Sequence, residues 1–578
     1  MTAVDALVAR VRAGQSLEGA QIGALDLRGR NLAGAKLRGA VLVGARLDGA
    51  DLSGADLAGA EITECAFDEA MLDGANLAGA KIAMSTFREA DLRGCDLGGA
   101  KLTLCDLPGA RLDGTTLAGT AFAKCDLSRA NLAGSRLEGA SLDLSILREA
   151  DLRRLVAVDS TACKADLAGA RLDDAKLEKS VLVGANLTGA SLEGARLEDV
   201  ILMTANLTGA RLSKWMVGCV FSDAYVVPPG SGAPAEPVPG ELTLDLSGVD
   251  MRGANLSRSV FHGALLRQAD LREANLEGTT LRACDLEGAS LDGANLFRSV
   301  LDGAKLPGAR LRGMRLRLGM WMRVDLRGAD LSGAHVDLTN LQDADLGGAD
   351  LRGAALENVI LDGAKLEGIV VDKTRFDKVG FEKLDMRAFP FDGLTMTACD
   401  FTKCDFSGVR IVGCDFEKSN FTEANLARVT FERCSLRMVT ARKANLARAT
   451  LRGVRAKGAF FGGASLEGAD LRQAFLRYAT FSGANLSGAL LIEADLRDAL
   501  FDRAMAKRAC FQSAQLIYAD LSHADVTGAD FGDANLFGAK VHNLEDEKAN
   551  YDGAVTLMQR GTDLPLLEAE AYNPSRGG

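Results

Sequence analysis

Residues 31–60 read NLAGA KLRGA VLVGA RLDGA DLSGA DLAGA, and leucine occupies the second place of every group of five. A period of five is neither the 3.6 of a helix nor the 2 of a strand, so neither element alone keeps this column on one face. A turn has to reset the chain after each group. Four such groups make a coil of 20 residues with every central Leu inward, and coils stacked at about 4.8 Å bond backbone to backbone. The fold expected is therefore an all-β solenoid.

Outward from that stretch, an apolar or small residue recurs every five positions from Leu17 to Val217, with Ala157 and Ala162 the weakest. A second register runs from Leu246 to Val541, with Ala441, Ala456 and Ala506 among its small members. At four groups per coil the two arrays predict rods of roughly 50 Å and 70 Å. The repeat also accounts for a composition that is odd for several globules: 64 Gly but only 5 Tyr, 2 Trp and 4 His in 578 residues. A narrow coil needs corner glycines and has room for Leu beside Ala, and for little that is larger. The net charge of −11 is mild for this length and points to no general nucleic-acid binder.

The unit A-(D/N)-L-x-x, seen at Ala50-Asp51-Leu52, Ala75-Asn76-Leu77 and Ala254-Asn255-Leu256, resembles the pentapeptide repeat family across both arrays. The resemblance implies a right-handed quadrilateral parallel β-helix, with the central residue and the small residue two places before it inside. It implies little about activity. Some members mimic duplex DNA and inhibit or protect type II topoisomerases such as DNA gyrase. Others, in long bacterial arrays, accompany contractile secretion machinery as adaptors.

The ends and the interruption set the domain plan: a capping helix in 1–15, a first array in 16–225, a Pro/Gly-rich linker in 226–241, a second array in 242–541, and a cap and tail in 542–578. Val4, Leu7, Val8 and Val11 have helical spacing, and Gly14 stops the helix. Trp215, Met216, Phe221 and Tyr225 are large enough to seal an array end, and Leu557, Leu564, Leu566 and Leu567 give the tail an apolar side. The segment VVPPGSGAPAEPVPGE cannot continue a hydrogen-bonded coil.

Catalytic and metal chemistry is not expected. His262, His335, His523 and His542 are scattered, and none has a ligand-type residue at the usual spacing. Nine cysteines (Cys65, Cys95, Cys105, Cys125, Cys284, Cys399, Cys404, Cys414 and Cys434) sit in the slot usually held by Ala and read as core. Phosphate-loop, dinucleotide and nucleophile-elbow motifs are missing. No cofactor, no enzyme activity and no direct nucleic-acid binding are expected. The twelve thiols, the lack of a long apolar run and a start without a signal-peptide pattern fit a cytoplasmic protein with no membrane span.

Function is thus sought on outward slots. Phe460, Tyr478, Leu500 and Tyr518 fall near one corner over about three coils, with Phe475, Leu490 and Ile492 nearby, and form an apolar stripe for the tail, a partner or a second copy. Arg428, Arg433, Arg437, Arg442, Lys443, Arg448, Arg452, Arg455 and Lys457 make a basic band with one acid, Glu432. A further run holds Arg310, Arg312, Arg315, Arg317, Arg323 and Arg327. Phe381, Phe401, Phe421, Phe461, Phe481 and Phe501 form an interior ladder broken at Ala441. The expected function is a protein-binding scaffold or adaptor, with a homodimer through the second array or the tail as one form. DNA mimicry ranks second, because one outer column (Asp26, Arg46, Ala66, Thr86, Asp106, Asp126, Ile146, Asp166) is not continuously acidic.

Overall fold

A computed structural model describes residues 2–224 and 243–571. The chain divides into two compact units, residues 1–290 with 294–300, and residues 301–578 with 291–293.

In the first unit, parallel bridges join residues 20 apart, as in Asp26 to Arg46 to Ala66 to Thr86 to Asp106. One coil is therefore four pentapeptides. Coils are tied by paired bonds of the kind Leu52 N–H to Met71 O (2.7 Å) and Asp51 N–H to Arg30 O (2.9 Å). Where pairing lengthens to three residues it makes a six-stranded parallel sheet from Gln21–Ile22 to Ala121–Ala123, and a five-stranded one from Arg136–Glu138 to Trp215–Val217. Central Leu52 and Leu57 and the small Ala50 and Ala55 are completely buried. Each buried Leu contributes roughly 1.5–3 kcal/mol, so the column is the main source of stability.

The repeat's polar letters have a local cause. The residue two places after the centre turns the corner with positive φ, +63° at Gly54, which an L side chain adopts only at a cost. The Asp or Asn before the centre braces that corner: Asp51 Oδ1 accepts the Ser53 N–H (3.0 Å), and Asn76 Oδ1 accepts that of Ala78 (3.0 Å).

Helix α1 spans Ala3–Arg12 and is N-capped by Thr2, which exchanges bonds with Asp5 in a capping box. Its Val8 and Val11 are buried, while Val4 and Leu7 are half-buried.

The register slips near the end of the first array. Arg196 pairs with Trp215, 19 residues on, so the buried centre is Met216 and not Val217, and Ser213 takes an inner place. The reading of Trp215, Met216 and Phe221 as a seal is corrected. Trp215 is exposed and bridges to Asn255, Val220 bridges to Val260, and the Phe221 ring stacks on Phe261 at 4.8 Å. The described residues resume at Thr243. Leu244, Leu246 and Met251 are buried like other inner residues, and Asp245 and Asp250 bridge onward to Leu265 and Asp270. Stacking is thus present on both sides of residues 225–242, which include Tyr225 and the expected linker 226–241 and lie outside the described residues.

In the second unit the same 20-residue ladder holds, with a five-stranded sheet from Arg315–Arg317 to Thr395–Thr397 and a pair formed by Arg410–Val412 and Thr430–Glu432. The phenylalanine ladder is real: ring centroids are 5.1 Å apart for Phe381 and Phe401, 5.0 Å for Phe401 and Phe421, 5.2 Å for Phe461 and Phe481, and 4.9 Å for Phe481 and Phe501. Bridging continues past Val541, through Asp525 to Glu545, Asp530 to Asn550, Asn535 to Val555 and Lys540 to Arg560. This last coil places Asp546 and Tyr551 in central slots. Tyr551 stacks on Phe531 at 5.1 Å and its hydroxyl donates to Asp546 (3.2 Å). Helix α2, Leu564–Ala571, follows and has no buried residue.

Candidate functional site

The apolar stripe is open. Phe460, Phe475, Tyr478, Leu500 and Tyr518 are exposed, by 58% at Tyr518, and Leu490 and Ile492 are half-buried. Two of the rings, Phe460 and Tyr518, lie over glycines. A Cβ added at Gly462 would meet the Phe460 ring at 2.5 Å, and one at Gly538 would meet Tyr518 at 2.5 Å. Tyr478 has two cations near its ring, with Arg477 Cζ 4.7 Å and Lys457 Nζ 5.6 Å from the ring centre. The polar contacts of α2 run to His523 and His542, and the stripe residues keep their exposure.

The basic band, residues 428–457, ends where the stripe begins at Phe460, and its distinguishing property is cationic charge without acidic partners. Among the described residues, none of Arg428, Arg433, Arg437, Arg442, Lys443, Arg448, Arg452, Arg455 and Lys457 makes an ion pair, and the band's Glu432 is taken by Arg410 at 2.6 Å. The run from Arg310 to Arg327 differs. Arg310, Arg312, Arg317, Arg323 and Arg327 pair with Asp292, Asp330, Asp337, Asp302 and Asp325.

A short sequence rule explains the contrast. Elsewhere an Asp before the centre holds an Arg after it across the corner, as Asp91 holds Arg93 (2.7 Å), Asp470 holds Arg472 (2.6 Å) and Asp495 holds Arg497 (2.7 Å). The bond from Arg93 keeps the Asp91 carboxyl below its ordinary pKa. In the band, Arg437, Arg442, Arg452 and Lys457 follow Ser435, Thr440, Thr450 and Arg455 in the same slot, so the partnering acid is missing. The cations encircle the solenoid. Arg428 and Arg448 stack along one edge, where they line a groove of about 550 Å3 with Ser407, Gly408 and Glu467, and Arg437 and Lys457 stack along another.

The cysteines behave as core. All twelve are free thiols and ten are buried, leaving Cys163 and Cys510 partly exposed. Burial pushes the thiols of Cys95, Cys219 and Cys284 up to about 12, far from a reactive value. The one-residue slip explains Cys219, which it moves into the Ala slot.

The histidine reading is corrected in part. His262 and His335 are exposed and solitary, but His523 and His542, 19 residues apart, lie in adjacent coils with ring centroids 5.0 Å apart and share Glu570 from α2. Linear ligand spacing could not reveal this pair. The 20-residue coil could, since it makes residues 19 to 21 apart neighbours.

Parallel coils of four five-residue faces, with one bulky and one small residue inward per face, define a β-solenoid protein. The chain belongs to the pentapeptide repeat family: the description "Pentapeptide repeats (8 copies)" matches in 15 segments between residues 16 and 544, and "Pentapeptide repeat region" matches residues 390–461. Similar solved structures include HetL, a pentapeptide repeat protein involved in heterocyst differentiation regulation from Nostoc sp. strain PCC 7120, at 23% identity over 51% of this chain and 89% of that one, with a TM-score of 0.15. QnrB1, a plasmid-mediated fluoroquinolone resistance protein, is 22% identical over 38% of this chain and 97% of its own, with a TM-score of 0.19. Rfr23 from the cyanobacterium Cyanothece 51142 is 27% identical over 22% and 89%, with a TM-score of 0.16. No curated protein matches. No helix among the described residues is long and apolar enough to cross a membrane.

Proposed function

We propose that this chain is a non-enzymatic, cytoplasmic protein-interaction scaffold whose second unit docks an acidic, partly apolar segment of another protein. One observation carries the reading: the coils that hold nine cations without an ion pair run into an exposed stripe of aromatic and aliphatic side chains, with Lys457 already against the Tyr478 ring. Unpaired surface charge steers an oppositely charged partner, and the stripe supplies apolar area that holds it. Leu490, Ile492 and Leu500 favour a protein over a phosphate backbone, which offers aliphatic side chains nothing to bury against. DNA mimicry finds less support. The column from Asp26 to Asp166 is stacked as the period requires, but Arg46, Ala66, Thr86 and Ile146 interrupt it, and Arg28, Arg88 and Arg148 pair with Asp26, Asp106 and Asp166.

The test is photocrosslinking from position 478 in cells, then binding of the captured protein to the purified chain. Arg437→Glu with Lys457→Glu should weaken binding at least about tenfold, roughly 1.4 kcal/mol, and added salt should weaken it too. Gly462→Ala, which displaces the Phe460 ring, should weaken it less. A dimer broken by the same substitutions would make the partner a second copy. Salt-insensitive binding, or duplex DNA bound as tightly whether or not Tyr478 is replaced by Ala, would overturn the reading.

A further inference from the structure

We infer that His523, His542 and Glu570 form a binding site for a divalent transition cation of the zinc class, which fastens α2 to the last coils of the solenoid. The two histidines are brought together by the main chain, since His523 N–H donates to His542 O at 2.8 Å across neighbouring coils. Glu570 comes from α2. Its Oε2 lies 3.4 Å from His523 Nε2 and 3.3 Å from His542 Nε2, and one donor atom from each of the three residues fits within a 4.8 Å cluster. Both imidazoles thus aim the same nitrogen at one carboxylate oxygen.

The spacing favours a shared cation over two hydrogen bonds. An N–H···O bond is best at about 2.9–3.0 Å. Two ligand atoms of a tetrahedral zinc ion, each about 2.0–2.1 Å from the metal, lie about 3.3–3.4 Å apart. The imidazole side chains are 16% and 10% exposed and Glu570 is 37% exposed, so the floor is dry and a fourth position faces water. Two ring nitrogens and a single carboxylate suit zinc, cobalt or nickel better than magnesium or calcium, which take oxygen ligands.

The outer partners determine what binding changes. His523 Nδ1 is 3.1 Å from the Asn543 side-chain amide, which can turn its oxygen to accept an Nδ1–H and hold that ring for coordination. His542 Nδ1 now accepts the Asp563 N–H at 3.0 Å. Coordination through Nε2 moves the proton of this neutral imidazole to Nδ1, where it faces the Asp563 N–H donor. That contact must open, so one hydrogen bond at the start of α2 is exchanged for coordination near its end. The Asp563 carboxylate still accepts the Leu566 N–H (3.1 Å), so the helix keeps that cap.

The test uses the full chain without a histidine tag and zinc chloride or cobalt chloride as the probe. Titration calorimetry should show one zinc per chain, weakened at least about tenfold by His523→Gln and by Glu570→Gln, and cobalt should give the visible bands of a tetrahedral site. Zinc should slow hydrogen exchange over residues 564–571 in the unsubstituted chain and not in the Glu570→Gln chain. No saturable uptake, uptake unchanged in both variants, or uptake without altered exchange in α2 would overturn the inference. None of these readouts involves a docking partner, so the site stands or falls apart from the scaffold reading.

Discussion

Replacing Phe481 by Ala opens the interior column where a ring is stacked on both sides. The side chain is fully buried, and its ring stacks on Phe461 at 5.2 Å with a 9° interplanar angle and on Phe501 at 4.9 Å with a 14° angle. Emptying such a site costs about 3–5 kcal/mol through lost transfer energy and the cavity left behind. Phe481→Leu retains most of the volume and is the residue that other faces of the coil already use. Its cost is the two stackings, about 0.5–1.5 kcal/mol each. Repeat arrays couple mainly to nearest neighbours, so the damage should stay local and a single melting temperature would blur it. Native-state hydrogen exchange read by mass spectrometry resolves it. Peptides covering 461–501 should exchange between about 100-fold and a few thousand-fold faster in Phe481→Ala, and less so in Phe481→Leu, while residues 321–345 of the same unit stay unchanged. An acceleration below about tenfold for Ala, equal effects of Ala and Leu, or uniform loss of protection along the unit would refute the stacked-column account.

Two further outcomes are expected. The carboxyls of Asp91, Asp151, Asp470 and Asp495 are held below their ordinary pKa, and that of Asp385 at about 2, chiefly by hydrogen bonds from the Arg two residues on. Depressed folded values contribute stability that is fully present above the unfolded value of about 3.9 and is lost as pH falls toward 2. Acid unfolding followed by circular dichroism should therefore begin below about pH 4, and Asp91→Asn with Asp470→Asn should shrink its pH dependence while leaving stability at pH 7 lower. As for the thiols, an aromatic disulfide reagent at pH 8 should modify only Cys163 and Cys510 in the folded chain and all twelve after denaturation. A thiol raised to about 12, such as Cys284, should react on the order of 1000-fold more slowly than a free one, which timed quenching and peptide mapping measure.

The period-five column was legible because each central residue answers to one physical demand, a place inside a narrow coil. Features that depend on a different demand were not. The slip that makes Met216 a centre removes one residue, and Val217 beside it is apolar enough to pass for the central position. Past Val541 the apolar column fails, yet bridges continue to Arg560, because coil stacking is bonded through the backbone and tolerates Asp546 at a centre. The stripe could be named from its spacing, but its exposure beside helix α2 is a tertiary fact. The band could be listed, but its lack of partners rests on a pairing between slots two residues apart that a count of charges does not contain.

That pairing shows how a uniform solenoid can acquire unpaired surface charge at little cost to its fold. The Asp before each centre has two separable jobs: its carboxylate braces the corner backbone, and it neutralises the Arg that follows. Asn425 and Asn445 keep the first, accepting the Ala427 and Ala447 N–H groups at 3.4 and 3.2 Å, and bring no negative charge to the band. Ser435, Thr440 and Thr450 keep the bridge of their slot to the next coil without supplying a charge. Interior packing is untouched, since Leu436, Ala441 and Leu451 remain buried whichever residue precedes them. Surface charge and core stability are therefore set by different positions in the five-residue unit. Substitution of outer acids alone can expose a ring of cations beside the aromatic stripe, while Leu and Ala inside continue to specify the same coil.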